Sequence, residues 1–164
     1  MNHNIDIEHN KQLIKKYPFL LPHSRWTGEV PSDYDYSYTE LDDMPDGWRK
    51  AFGEQMCDEI EKELEKHNLQ EKYRIAQIKE KYGTLRWYDF GATEKILKEI
   101  IPKYEKLSAH TCINCGKPAT KVTLGWISPY CDDCCPKRGR SVPVEDYFSE
   151  AKSFNVTYDS IVED

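Results

Sequence analysis

Two pairs of cysteines carry the clearest chemistry in this chain. Cys112 and Cys115 form one Cys-x2-Cys knuckle, and Cys131 and Cys134 form a second after fifteen intervening residues. Zinc takes four soft or borderline ligands in a tetrahedron, and each knuckle presents two thiolates on one tight turn. The intervening segment is long enough for a hairpin that returns the second knuckle to the first. Gly116 follows the first pair, where a tight turn can aim backbone amides at the sulfurs. The spacing predicts one structural zinc ion on Cys112, Cys115, Cys131 and Cys134. Four thiolates leave no open coordination position, so the metal would support folding and not reaction. Cys135 and His110 are spare donors beside the set; Pro136 makes Cys135 the less comfortable substitute for Cys134. Cys57 stands alone and reads as a buried thiol.

No other constellation suggests catalysis. None of the histidines (His3, His9, His23, His67, His110) has a second His four residues away, as a helical zinc hydrolase would need. A nucleobase deaminase would show His-x-Glu ahead of Pro-Cys-x-x-Cys, whereas here no His is followed by x-Glu and Tyr130 separates Pro129 from Cys131. Phosphate loops and Gly-x-Ser-x-Gly elbows are absent too. The chain reads as a binding protein in preference to an enzyme.

Composition narrows the partners. At 164 residues the chain suits one domain, or one with a small satellite. Its 32% charged residues make it wet, but 12% aromatics argue against wholesale disorder. A net charge of −6 speaks against indiscriminate coating of nucleic acid, while a local basic face stays open. No apolar run approaches the ~18 to 20 residues that span a bilayer, so no membrane partner is expected. Met1 to Lys16 is polar throughout, without the apolar stretch of a secretory signal. The expected compartment is the cytoplasm, where paired thiols bind metal more readily than they oxidise.

The elements that must position the cysteines divide the chain into four stretches. Residues 1–45 read as an irregular, aromatic-rich arm, in which Tyr34, Tyr36 and Tyr38 alternate as in a short strand. Residues 46–109 read as an α-β-β-α core. Its first helix carries Trp48, Phe52, Met56, Ile60 and Leu64 on one face and Glu54, Asp58, Glu61 and Glu65 on the other. Its second helix is capped by Thr93, buries Ile96, Ile100, Tyr104 and Leu107, and is kinked at Pro102. The ribbon occupies 110–136. The last stretch, 137–164, runs from basic Lys137-Arg138-Gly139-Arg140 to an acidic tail, with a short helix over Val144–Phe154 and a strand over Asn155–Ile161.

Between the core helices, Tyr73 to Phe90 reads as a hairpin turning on Gly83-Thr84. That register sets Lys81 opposite Arg86 and Lys79 opposite Tyr88 on one face, and Glu80 opposite Trp87 and Ile78 opposite Asp89 on the other. Like charges directly opposed destabilise a hairpin. Either acidic residues of the same protein offset them, or an external anion does. In the second case Lys79, Lys81, Arg86 and Tyr88 form a ligand or partner surface, with Tyr88 placed to stack a base.

The string Ile78-Lys79-Glu80-Lys81-Tyr82-Gly83-Thr84-Leu85-Arg86-Trp87-Tyr88, then a helix, then Cys112-Ile113-Asn114-Cys115-Gly116-Lys117-Pro118 and Trp126 ahead of Cys131-Asp132-Asp133-Cys134, forms a combined pattern. It resembles a group of small zinc-ribbon proteins of phages, prophages and their bacterial hosts. The resemblance spans about residues 48–134 and implies a phage or mobile-element setting. It brings no established activity and no catalytic residues.

The sequence thus predicts an α+β protein in which two helices pack on a small antiparallel sheet, with a four-cysteine zinc ribbon docked at one edge. The expected function is non-enzymatic engagement of a host protein or complex, with inhibition as one form of it. The alternative is a ribbon module that binds nucleic acid or a nucleotide through the basic hairpin face.

Overall fold

The computed structural model describes residues 5–153, with side chains through Phe148. The chain is α+β: short helices surround a two-stranded hairpin, and a separate three-stranded sheet carries the ribbon. The strand expected over Asn155–Ile161 lies outside the described residues.

The N-terminal stretch is more regular than its sequence suggests. Helix α1 (Ile7–Lys16) starts where the Asp6 carboxylate accepts a hydrogen bond from the His9 backbone N–H at 3.0 Å. Leu13 is its one buried side chain, which is why no apolar stripe announces it. The following clip drives Tyr17, Phe19 and Leu20 into the main core, and Thr39 caps a 3₁₀ turn that buries Leu41. Tyr34, Tyr36 and Tyr38 form no strand. Tyr36 adopts φ 63°, and the three rings cluster instead, with Tyr34 4.9 Å from Tyr36 and 5.3 Å from Tyr38 between centroids.

The stripe of five apolar residues from Trp48 to Leu64 is buried as expected, but on an irregular helix. Helix α2 (Asp46–Trp48) passes through a π-helical turn (Arg49–Gly53) into α3 (Glu54–Lys66). Residues spaced every fourth position overshoot a 3.6-residue turn by ~40° at each step. The wider π turn absorbs part of that drift and keeps Trp48 and Phe52 on the core side with Met56, Ile60 and Leu64. Glu61, expected on the outer acidic face, is only 9% exposed. Burial, with help from Glu65 and Glu71, pushes its carboxyl up to about 6.

The hairpin pairs β1 (Ile75–Lys81) with β2 (Thr84–Asp89). Its turn residues are Tyr82 and Gly83, at φ 54° and 81°, the signature of a type I′ turn. Each partner therefore shifts by two residues: Lys79 faces Arg86, Lys81 faces Thr84, and Ile78 faces Trp87. A two-residue shift leaves every side chain on its face. The expected register set Glu80 against Trp87 and Ile78 against Asp89, two mismatched pairs. The observed one sets Glu80 against Leu85 and, beyond a register irregularity, Ile75 against Asp89, but it gains the apolar pair of Ile78 with Trp87. The Glu80 carboxylate also accepts from the Gly83 N–H at 2.7 Å.

The expected second helix is two short ones, α4 (Ala92–Lys95) and α5 (Ile101–Ser108), with Pro102 in the first turn of α5 where its missing N–H costs nothing. Asp89, not Thr93, serves the start of α4, accepting from the Gly91 and Thr93 amides and the Thr93 hydroxyl. Leu97, Ile101 and Tyr104 are the buried residues, and Leu107 is exposed.

In the ribbon, β3 (Lys121–Thr123) is the middle strand, flanked by β4 (Pro129–Tyr130) and β5 (Ser141–Pro143). Helix α6 (Val144–Ser153) follows β5. Ala109, Val122, Val144 and Phe148 form a small core distinct from the main one. Among the described residues no helix is long and apolar enough to cross a membrane.

Candidate metal centre and binding surfaces

The two knuckles meet. The Sγ atoms of Cys112, Cys115, Cys131 and Cys134 all lie within 4.8 Å of one another, and those of Cys115 and Cys131 are 3.6 Å apart. The first knuckle closes through Cys112 N–H to the Lys117 carbonyl at 2.7 Å and Gly116 N–H to the Cys112 carbonyl at 3.0 Å. The second repeats the device with Cys135 N–H on the Cys131 carbonyl at 3.0 Å. Burial works against ionisation of the Cys112 thiol, but the amides of Cys131, Cys115 and Asn114 outweigh it and pull the group down to about 7. The Asn114 side-chain amide donates to the Cys134 sulfur at 3.3 Å. Four convergent thiols with amide donors around them fit a cation that wants a tetrahedron of soft ligands. Cys135 and His110 are not members of the group. The His110 ring packs beside Phe148 instead.

The cluster is bolted to the start of the long helix. Gly47 N–H donates to the Ile113 carbonyl at 2.8 Å, and the buried Trp48 indole donates to the Thr111 carbonyl at 2.9 Å. Neither glycine at this contact has room for a side chain. A Cβ on Gly47 would fall 2.2 Å from the Cys112 carbonyl oxygen, and one on Gly116, at φ 86°, would fall 2.7 Å from the Gly47 oxygen. The cysteine spacing was visible in the sequence; this contact was not, although a Gly-Trp pair at the head of an apolar stripe is its trace.

The four hairpin residues expected to bind a ligand separate. Lys79, Lys81 and Tyr88 are half-buried, with the Lys79 ammonium 5.6 Å from the Tyr88 ring centre and Lys81 5.6 Å from that of Tyr82. Arg86 is 1% exposed, so it is not part of a ligand surface. Its Nε donates to the Thr84 hydroxyl at 3.2 Å. Helix α5 covers this strand's outer edge. Ser108 Oγ accepts from Leu85 N–H at 2.8 Å and the Glu105 carboxylate from Trp87 N–H at 3.2 Å. Burial lifts the Glu105 carboxyl to about 7, although the Trp87 amide and the Arg86 charge pull the other way. An internal carboxylate therefore helps to offset the cation, one of the two arrangements the sequence left open.

A cavity of about 920 Å³ lies elsewhere, between α1, the 37–42 segment and the π turn, with His9, Asn10, Tyr38 and Arg49 in its wall. Arg49 is engaged there by Asp42 and Asp46. Cys57 is fully buried, and burial pushes its thiol well up, as expected of an inert core cysteine.

No protein-family model, curated protein or solved structure matches this chain.

Proposed function

We propose that this chain is a zinc-stapled, non-enzymatic binding protein that engages a host protein or complex. The observation that carries this reading is the position of the thiol cluster: all four sulfurs converge on one another at the joint between ribbon and helix, and none of them lines the large cavity. A metal there braces surfaces and does no chemistry on a substrate. Zinc is the favoured ion because four thiolates in two Cys-x2-Cys turns suit it over harder cations. The resemblance to phage and prophage ribbon proteins supports a host target. The net charge of −6 and the exposed Glu54 and Glu65 on α3 fit a partner with a basic surface.

Two measurements test the reading. Metal analysis of the purified protein should find one zinc per chain, lost in Cys112→Ser. Tagged protein in host lysate should retain a stoichiometric partner that elutes as salt rises and is not retained by the Glu54→Lys, Glu65→Lys double variant. Absence of such a partner overturns the binding assignment; absence of zinc overturns the metal assignment. The alternative, nucleic acid held on the face of Lys79, Lys81, Arg86 and Tyr88, loses its central cation with the burial of Arg86.

A further inference from the structure

Two turns that are distant in sequence lie side by side, the tip of the hairpin and the tip of a ribbon loop. The ribbon turn between β3 and β4 carries Gly125 and Trp126, and Trp126 is 82% exposed. The Thr123 hydroxyl donates to the Trp126 carbonyl at 2.6 Å and fixes the turn from within. The hairpin turn carries Tyr82, 53% exposed. The two touch through Gly83: a Cβ there would lie 3.0 Å from the Ile127 side chain and 3.4 Å from its carbonyl oxygen. The backbone of Arg140 lies beside the ribbon turn, because Leu124 N–H donates to its carbonyl at 2.8 Å, and Arg138 is two residues before it in the chain.

Tyr82 is an unexpected choice at its position. The first residue of a type I′ turn needs φ > 0, which Asn, Asp and Gly adopt readily and an aromatic residue does not. A strained backbone carrying an exposed ring points to a use for the ring. Cationic residues are carried on the segments that meet here. Lys81 sits over the Tyr82 ring, and Arg138 and Arg140 are exposed. The nearby Glu80 carboxylate is engaged by the Gly83 amide. This tip is thus basic and aromatic on a protein that is acidic as a whole.

We propose that this tip binds single-stranded nucleic acid, with Trp126 and Tyr82 stacking bases and Lys81, Arg138 and Arg140 meeting phosphates. Stacking asks only for an exposed π-face, which every base can use, and cations then follow the backbone. Duplex DNA would hide its bases from these rings. A protein partner would have to bring a shaped pocket for each ring, whereas a single strand offers stacking faces without one. The tip uses none of the acidic residues of α3, so the inference goes beyond the partner reading. It depends on the zinc assignment only in that the metal braces the ribbon turn.

The test is fluorescence anisotropy of a labelled oligothymidine titrated with the full-length, metal-loaded protein. Binding at low salt should weaken linearly in log–log form as salt rises, by about 0.7 in slope for each phosphate neutralised. Trp126→Ala should weaken it roughly tenfold or more, and Tyr82→Asn, which suits the turn, should also weaken it. Arg138→Glu with Arg140→Glu should abolish it. Circular dichroism and zinc content should stay unchanged in each variant, which separates lost contacts from lost fold. The proposal is overturned by no binding at low salt, by duplex binding of equal strength, by equal binding of polyglutamate, or by indifference to Trp126→Ala. Retention of the host partner by Trp126→Ala would show the two surfaces to be independent, so the failure of one reading leaves the other standing.

Discussion

The body and the ribbon of this protein solve the same problem by different physics. In the body, α1, the α2–α3 helix, the hairpin and α5 enclose one apolar cluster in which Trp48, Met56, Ile60, Leu64, Leu85 and Leu97 are completely buried. The ribbon has Ala109, Val122, Val144 and Phe148, with Ile127 and Tyr147 packed against them. A core of that size cannot offset the entropy of ordering its chain, so the ribbon needs cross-links. With the proposed metal bound, the thiol cluster would supply them, and the ribbon's contacts to Gly47 and Trp48 would pass that rigidity to the head of the main helix. The difference teaches where to look for function: on the surfaces that the joint holds still.

The most forceful way to break the comparison is to take away the metal. Structural zinc in small ribbons contributes on the order of 10 kcal/mol at neutral pH, far more than the ribbon's own packing. Chelation, or Cys112→Ser, should unfold the ribbon and leave the body folded. Hydrogen exchange should show protection lost over β3, β4 and β5 and kept over β1, β2 and α3. If both regions lose protection together, the ribbon is not a separate cooperative unit.

The joint itself is the next target. In Gly47→Ala the added methyl meets the Cys112 and Ile113 backbone, 2.2 Å and 2.6 Å away, and neither can yield as a side chain would. The knuckle and the helix start must part, at a cost of about 2–4 kcal/mol. Denaturant titration should show that loss, accompanied by faster zinc release. An unchanged release rate would mean that the clamp steadies the helix and not the metal.

Acidification should drive the two regions in opposite directions. Glu61 holds its proton up to about 6 in the folded chain, against 4.5 for an ordinary Glu, because burial disfavours its charge. A carboxyl raised on folding contributes stability fully below the unfolded value and loses that contribution as pH rises through the folded one. The body should therefore weaken by about 1–2 kcal/mol between pH 4.5 and 6 on this account. Glu61→Gln should remove that slope and be the more stable form at pH 7. The ribbon runs the other way, since protons compete with metal for thiolates and acid releases it. Parallel melts across this range, read by near-ultraviolet circular dichroism for the body and metal release for the ribbon, would expose the divergence. Parallel slopes in wild type and Glu61→Gln would remove Glu61 as the cause.

What the sequence disclosed follows the same division. The ribbon's chemistry was legible because Cys-x2-Cys spacing is a local fact, and the apolar stripe from Trp48 to Leu64 was legible because a helix face is nearly one. The π turn was written into that stripe's strict four-residue step. Arg86 shows the limit. Its face on the hairpin was correctly read, but its burial depends on α5 bringing Glu105 and Ser108 alongside β2, and no local pattern encodes that approach. The hairpin register failed for a related reason. Gly83 suits either turn position, and only the core-facing pairing of Ile78 with Trp87 decides between them. Helix α1 escaped because a single buried leucine makes no stripe.

The smallest effect is the most informative about purpose. Tyr82 sits at φ 54° where Asn would sit without strain, so Tyr82→Asn should stabilise the hairpin by a few tenths of a kcal/mol, up to about 1. For a protein of this size that is a rise in Tm of roughly 1–4 °C. The ring lies under the Lys81 ammonium, a contact worth about 0.5–1 kcal/mol when exposed, which sets the margin by which the gain could be cancelled. A fall in Tm would mean that the ring packs usefully against its own protein and needs no external ligand to justify it. A rise in Tm together with weaker oligothymidine binding would mean the reverse. The body would then tolerate a strained turn at the tip of its hairpin because the ribbon turn beside it completes a surface that neither region forms alone.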